Sequence, residues 1–190
     1  SIGDNAVDIK VWDPTTGQQL NQIIKAHPYR IDGVSFNPNG TDLVSTGNDK
    51  KIKFWNLETG SLISEHTVTI SDFPKIIQYS PNGTYMLFQG IRETTLIKTQ
   101  NKSEINLPKT KKAIFSPDGN QLFLFNQKYR EQNPRQQFYD VYFNVWDIKS
   151  QKVVKSHCLI GHLDELESVA CSPDGTILAT GSRDSTIRLW

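Results

Sequence analysis

Serine or threonine, histidine and aspartate are the side chains of nucleophilic hydrolysis. This sequence carries the set twice, as His27, Ser45 and Asp49 and as His162, Thr180 and Asp184. A working nucleophile needs an exposed hydroxyl, an oxyanion hole and a cleft for substrate. A site is built once, whereas these two sets recur at the same phase of a repeat, as scaffolding does. Each histidine also precedes a tryptophan by 28 residues, Trp55 and Trp190. A buried indole N–H needs an acceptor. Both sets therefore read as structural, and no catalytic residue is expected.

Other chemistry is scarce. His157, Cys158 and His162 match no ordinary zinc spacing, so no metal is expected. The glycine turns lack a lysine and a following helix, so no phosphate loop and no cofactor are expected. Lys109-Thr110-Lys111-Lys112 reads as a solvated basic loop.

The 190 residues carry 21 basic and 20 acidic side chains, a net charge of +1. That balance gives no long-range attraction for nucleic acid or an anionic membrane. No apolar run is long enough to span a bilayer. The first residues, SIGDNAVDIKVWD, show no basic start followed by an apolar run, so no signal peptide is visible in them. A cytoplasmic location is the expectation. Cys158 and Cys171 read as two reduced thiols, since two cysteines make no disulfide framework.

The elements that position these residues come in repeats. NPNG at 37–40, SPNG at 80–83, SPDG at 116–119 and SPDG at 172–175 share one turn chemistry. Proline fixes one φ angle and glycine accepts a positive one. A second marker is Trp12-Asp13, Trp55-Asn56, Trp146-Asp147 and the terminal Trp190. Between the markers lie short runs rich in Val, Ile, Phe and Tyr, such as VSFNP, DLVST, IKFWN and SLISE. They predict an all-β chain with about four strands per period. Such a unit cannot bury both faces alone and must stack on its neighbours.

Ala26-His27, Asn37-Pro38-Asn39-Gly40, Asn48-Asp49 and Trp55-Asn56, with Gly161-His162, Ser172-Pro173-Asp174-Gly175, Arg183-Asp184 and Trp190, resemble the WD-repeat family. The resemblance implies a β-propeller of about four blades, an incomplete ring cut from a longer repeat array. The repeats fall at about 26–65, 66–105 and 106–156, with incomplete repeats at 1–25 and 157–190. It also implies that His27, Ser45, Asp49 and Trp55, and His162, Thr180, Asp184 and Trp190, form hydrogen-bonded tetrads inside their blades. The middle repeats depart from the pattern. Lys98 stands at the tryptophan position of the second and Ile70 at its histidine position. In the third, Trp146 and Asp140 survive and Asn106 takes the histidine position.

From Gly119 to Trp146 is 27 residues, where the end repeats take 15 from glycine to tryptophan. The extra residues, around 126–140, predict a hairpin that extends beyond the blade. Tyr129, Arg130, Arg135, Phe138 and Tyr139 give it the aromatic and arginine content of interface hot spots. By resemblance the hairpin shares a face with rim positions Tyr29, Arg30, Asn48, Asp164, Glu165 and Arg183. The function this implies is a non-catalytic scaffold for other proteins or peptides, within a larger multidomain signalling protein, with the remaining blades of that chain as its nearest partners. The alternative is a propeller that gates or accompanies a peptidase-like enzyme or transport machinery outside this chain.

Overall fold

The computed structural model describes residues 7–67, 76–90, 93–133 and 136–190; side chains at 129–133 and 136–138 lie outside that set. Among the described residues every regular element is a β-strand, and each sheet is antiparallel with its strands in chain order. The first sheet holds β1 (Val7–Trp12) and β2 (Gln19–His27). The second holds β3 (Ile31–Phe36), β4 (Asp42–Gly47), β5 (Lys51–Asn56) and β6 (Leu62–Thr67). The third holds β7 (Ile76–Tyr79), β8 (Tyr85–Gln89), β9 (Thr94–Lys98) and β10 (Glu104–Asn106). The fourth holds β11 (Lys112–Phe115), β12 (Gln121–Asn133), β13 (Gln136–Asp147) and β14 (Lys152–Leu159). The fifth holds β15 (Leu166–Cys171), β16 (Leu178–Ser182) and β17 (Ile187–Leu189).

One turn chemistry makes the first hairpin of each of the last four sheets. Gly40, Gly83, Gly119 and Gly175 have φ between 71 and 74°. Each amide bonds back to the carbonyl three residues earlier, at 2.8–2.9 Å. A side chain at that φ would be strained, which is why the motif ends in glycine.

The strands divide into two compact units, one through Leu107 and one from Pro108 onward. In the first unit, Val44, Ile52 and Phe54 pack against Ile77, Tyr79, Met86, Phe88 and Ile97. Ile9, Ile23 and Ala26 pack against Leu43 and Trp55. In the second, Phe125, Val141, Phe143, Val145 and Leu159 enclose Leu166, with Val169, Leu178 and Trp190 beside them. Each large apolar side chain so buried contributes about 1.5–3 kcal/mol of transfer free energy. Stacked sheets thus supply the burial that a single sheet of half-apolar strands lacks.

Register corrects one sequence expectation. Trp55 lies opposite Leu43, Trp146 opposite Leu122, and Trp190 exchanges backbone bonds with Leu178. The corresponding pair in the third sheet is Met86 with Ile97, while Lys98 lies opposite Tyr85 as Asn56 lies opposite Asp42. Ile97, not Lys98, therefore occupies the tryptophan position. Four residues separate the paired Gln89 and Thr94, against five between the equivalent pair Thr46 and Ile52, so counting from the turn glycine overshoots by one.

Candidate functional site

His27 ends β2, Ser45 lies in β4, Asp49 in the turn after it and Trp55 in β5. Their side chains meet. His27 Nδ1 is 3.0 Å from both Asp49 carboxylate oxygens, and its Nε2 is 2.7 Å from Ser45 Oγ. The Trp55 indole N–H donates to the same Oγ at 2.9 Å. The second cluster repeats the arrangement. His162 Nδ1 is 2.9 Å from Asp184 Oδ2, its Nε2 is 2.8 Å from Thr180 Oγ1, and the Trp190 indole donates to Thr180 Oγ1 at 2.9 Å.

The proton assignment follows from these contacts. An ionised carboxylate only accepts, so Nδ1 carries the ring proton. In a neutral ring Nε2 then accepts from the hydroxyl, whose oxygen accepts from the indole. Every polar hydrogen in the cluster has an acceptor. His27, Ser45, His162 and Thr180 are all at most 1% exposed. Burial pushes the His27 ring below its ordinary pKa, outweighing the Asp49 carboxylate, and Lys53 adds to the depression. Burial alone would raise the Asp184 carboxyl, but hydrogen bonds from Thr186, the Leu163 amide and His162 hold it well below the usual carboxylate range.

Two contacts at these clusters were not read from the sequence. Lys53 Nζ donates to the Ala26 carbonyl at 2.6 Å. The Arg188 guanidinium lies against Gly161, where an added Cβ would fall 2.6 Å from Nη1. The available signal was a cation two residues before each of these two tryptophans.

The middle sheets lack the cluster. Phe88 and Leu124 occupy the hydroxyl position by register, and both are buried apolar side chains. Trp146 and Asp140 are buried, whereas Asn106 is exposed at the end of β10. Ile70 lies outside the described residues.

At the rim, Tyr29 is 59% exposed and Asn48 is exposed. Arg183 is exposed but engaged. Its Nε bonds Glu167 at 2.6 Å, its Nη1 lies 3.5 Å from Glu165, and Lys111 also reaches Glu165, at 2.9 Å. Arg30 pairs with Asp32 at 2.6 Å. In the long hairpin of β12 and β13, Tyr129 lies opposite Tyr139 and Arg130 opposite Phe138. Tyr139 is half-buried. The side chains of Tyr129, Arg130 and Phe138, and Arg135 altogether, lie outside the described residues.

His157 and Cys158 line a cleft of about 510 Å³ in the second unit, with Phe123, Phe143 and Trp190. His157 stacks on Phe143, ring centroids 5.0 Å apart. Among the described residues no group of three or more His, Cys, Asp or Glu side chains is placed to hold a metal ion. No helix among them is long and apolar enough to cross a membrane.

Four-stranded antiparallel sheets stacked face to face, with buried imidazole–hydroxyl–carboxylate–indole clusters, define a β-propeller class of protein. The model of the WD domain, G-beta repeat, matches residues 18–56 and 153–190, and the chain carries repeats of the WD-repeat family at both positions. Nuclear distribution protein PAC1 of Arthroderma otae is 26% identical over 196 residues, which span 97% of this chain and 36% of that protein. Protein FIZZY-RELATED 1 of Arabidopsis thaliana is 25% identical over 197 residues, 100% of this chain and 39% of that protein. The guanine nucleotide-binding protein subunit beta of Schizosaccharomyces pombe is 38% identical over 78 residues, 41% of this chain and 21% of that protein. The chain thus spans well under half the length of these relatives. Among solved structures, the β-propeller domain of Cps50 (Swd1) from Myceliophteria thermophila superposes with a TM-score of 0.71 over 97% of this chain and 59% of that one, at 16% identity. That likeness shows the fold.

Proposed function

We propose that the chain is a non-catalytic scaffold that binds other proteins or peptides along its rim, as part of a larger signalling or regulatory protein. One observation carries this reading: both hydroxyls that could serve as nucleophiles are buried and committed to hydrogen bonds inside the sheet. A nucleophile needs an open approach and a base free to take its proton. Here the imidazole, hydroxyl and indole hold one another. The relatives named as a nuclear distribution protein, a guanine nucleotide-binding protein subunit beta and a Fizzy-related protein support a regulatory scaffold. The exposed Tyr29, Asn48 and Arg183 are the contact residues of this reading, together with the long hairpin.

Two arms test it. A serine-directed fluorophosphonate leaves Ser45 unlabelled, and Asp184→Ala lowers the melting temperature. Labelled Ser45, with stability unchanged in Asp184→Ala, contradicts the scaffold reading. In the second arm, Tyr29→Ala with Arg183→Ala loses specific partners in quantitative affinity capture while the fold is kept. A capture profile identical to that of the unaltered chain contradicts the rim as the contact surface.

A further inference from the structure

We propose that Lys53 and Arg188 are fifth members of the two clusters: each cation clamps the backbone just before its histidine and so positions the rim loop that follows. This rests on reading the clusters as scaffolding. Lys53 lies opposite Ser45 and Arg188 opposite Thr180, so the two cations share one register position. Each reaches the residue that precedes its histidine. Lys53 donates to the carbonyl of the fully buried Ala26 at 2.6 Å. Arg188 lies on Gly161, whose missing Cβ would stand 2.6 Å from Nη1, 2.9 Å from Cζ and 3.2 Å from Nε. Gly161 also has φ of 154°, which a side chain would resist. Glycine thus leaves the guanidinium room to approach the backbone.

The third and fourth sheets act as internal controls. Opposite Phe88 stands Thr95, and opposite Leu124 stands Asn144. Neither sheet has the cluster, and neither has a cation at this register. In these four sheets the cation therefore goes with the cluster. The physical need is clear at His27. Ala26 and His27 are both fully buried, while Pro28, Tyr29 and Arg30 are exposed. The chain leaves the sheet here, and a charge-assisted bond to the last buried carbonyl fixes where it leaves. The charges that act on the His27 ring are Asp49 and Asp32, which favour its protonated form, and Lys53, which opposes it.

The test uses the whole chain, amide exchange and NMR titration. Lys53→Met removes the charge and keeps most of the stem; Lys53→Arg keeps the charge. In Lys53→Met the amides of His27, Tyr29 and Arg30 exchange about tenfold faster, the effect of losing one charge-assisted hydrogen bond. The His27 ring then titrates at higher pH, because Asp49 and Asp32 act unopposed. Lys53→Arg restores both readouts. The loop after His162 stays unmoved in either variant and serves as the reference. Arg188→Met gives the mirror result, loosening the loop after His162 alone, and decides the matter if Lys53→Met does not fold. A His27 ring and loop unchanged in Lys53→Met, or loosened equally by Lys53→Arg, overturns the proposal. Partner capture that ignores the rim would overturn the scaffold reading instead and leave these loop readouts as they are.

Discussion

Ser45 Oγ joins the His27 ring to the Trp55 indole, so its loss leaves two buried polar atoms unpaired. Ser45→Ala should cost about 2 kcal/mol or more in urea unfolding, beyond any loss of volume. A change near zero would mean that water or a rotated ring takes over both bonds. The same cluster sets a pH dependence. The folded chain holds His27 neutral below its ordinary 6.5, while the unfolded chain takes up the proton. Stability from this source is complete above that pH and is lost as the pH falls below it. Urea midpoints should drop between pH 7.5 and 5.5, and less so in Lys53→Met, whose ring resists the proton less. Tyr79 presents the opposite case. Burial pushes its phenol up to about 12, and its hydroxyl has no partner among the described residues. Tyr79→Phe should therefore be neutral or stabilising in the same assay, because it removes an unpaired polar atom from a core position. Destabilisation by 1 kcal/mol or so would show that the hydroxyl is satisfied in solution.

At the scale of elements, the turn of the first sheet and those between the third and fourth strands of the next three carry residues with positive φ. Gly17 and Gly60 fill two of them with φ of 70° and 67°, and Lys102 and Gln151 fill two others with φ of 59° and 55°. A non-glycine residue there costs of order 1 kcal/mol. Gln151→Gly should raise stability by about 0.5–1 kcal/mol. Lys102→Gly should not, because Lys102 Nζ sits 3.5 Å from the centre of the Phe54 ring and that contact is lost. A buried cation–π contact is worth roughly as much as the strain it offsets. Paired melting curves for the two variants check this, and equal gains would refute the role given to Phe54. The long hairpin belongs to this scale too. Its paired strands hold 13 and 12 residues, longer than any other strand among the described residues, and the sequence showed that extension as extra spacing before Trp146.

For the molecule as a whole, much of the fold was legible because repeats mark themselves. The Pro–Asx–Gly turns, the tryptophans and the histidines carry spacing that survives divergence elsewhere. Both clusters were legible for the same reason. The third sheet was misread at Lys98 because nothing marks its third strand: Ile97 packs where an indole would, and the shortened link shifts the count. Lys53 and Arg188 went unread because a cation near a strand end looks solvated until register places it over a backbone. A net charge of +1 also bears on partners at this scale. Affinity for duplex DNA at physiological salt should be no tighter than the nonspecific range, about 10⁻⁴ to 10⁻⁶ M, as fluorescence anisotropy would show. Tight, salt-sensitive binding would point to a basic face that the total conceals.

The two imidazoles are closed structural members, each hydrogen-bonded through both ring nitrogens. Proton–nitrogen NMR of the His27 and His162 rings at neutral pH tests this most directly. Both rings should carry a proton on Nδ1 that exchanges slowly, with Nε2 facing the hydroxyl as acceptor. Rings protonated at Nε2, or ring protons exchanging as fast as those of an exposed imidazole, would contradict it and reopen the hydroxyls to chemistry.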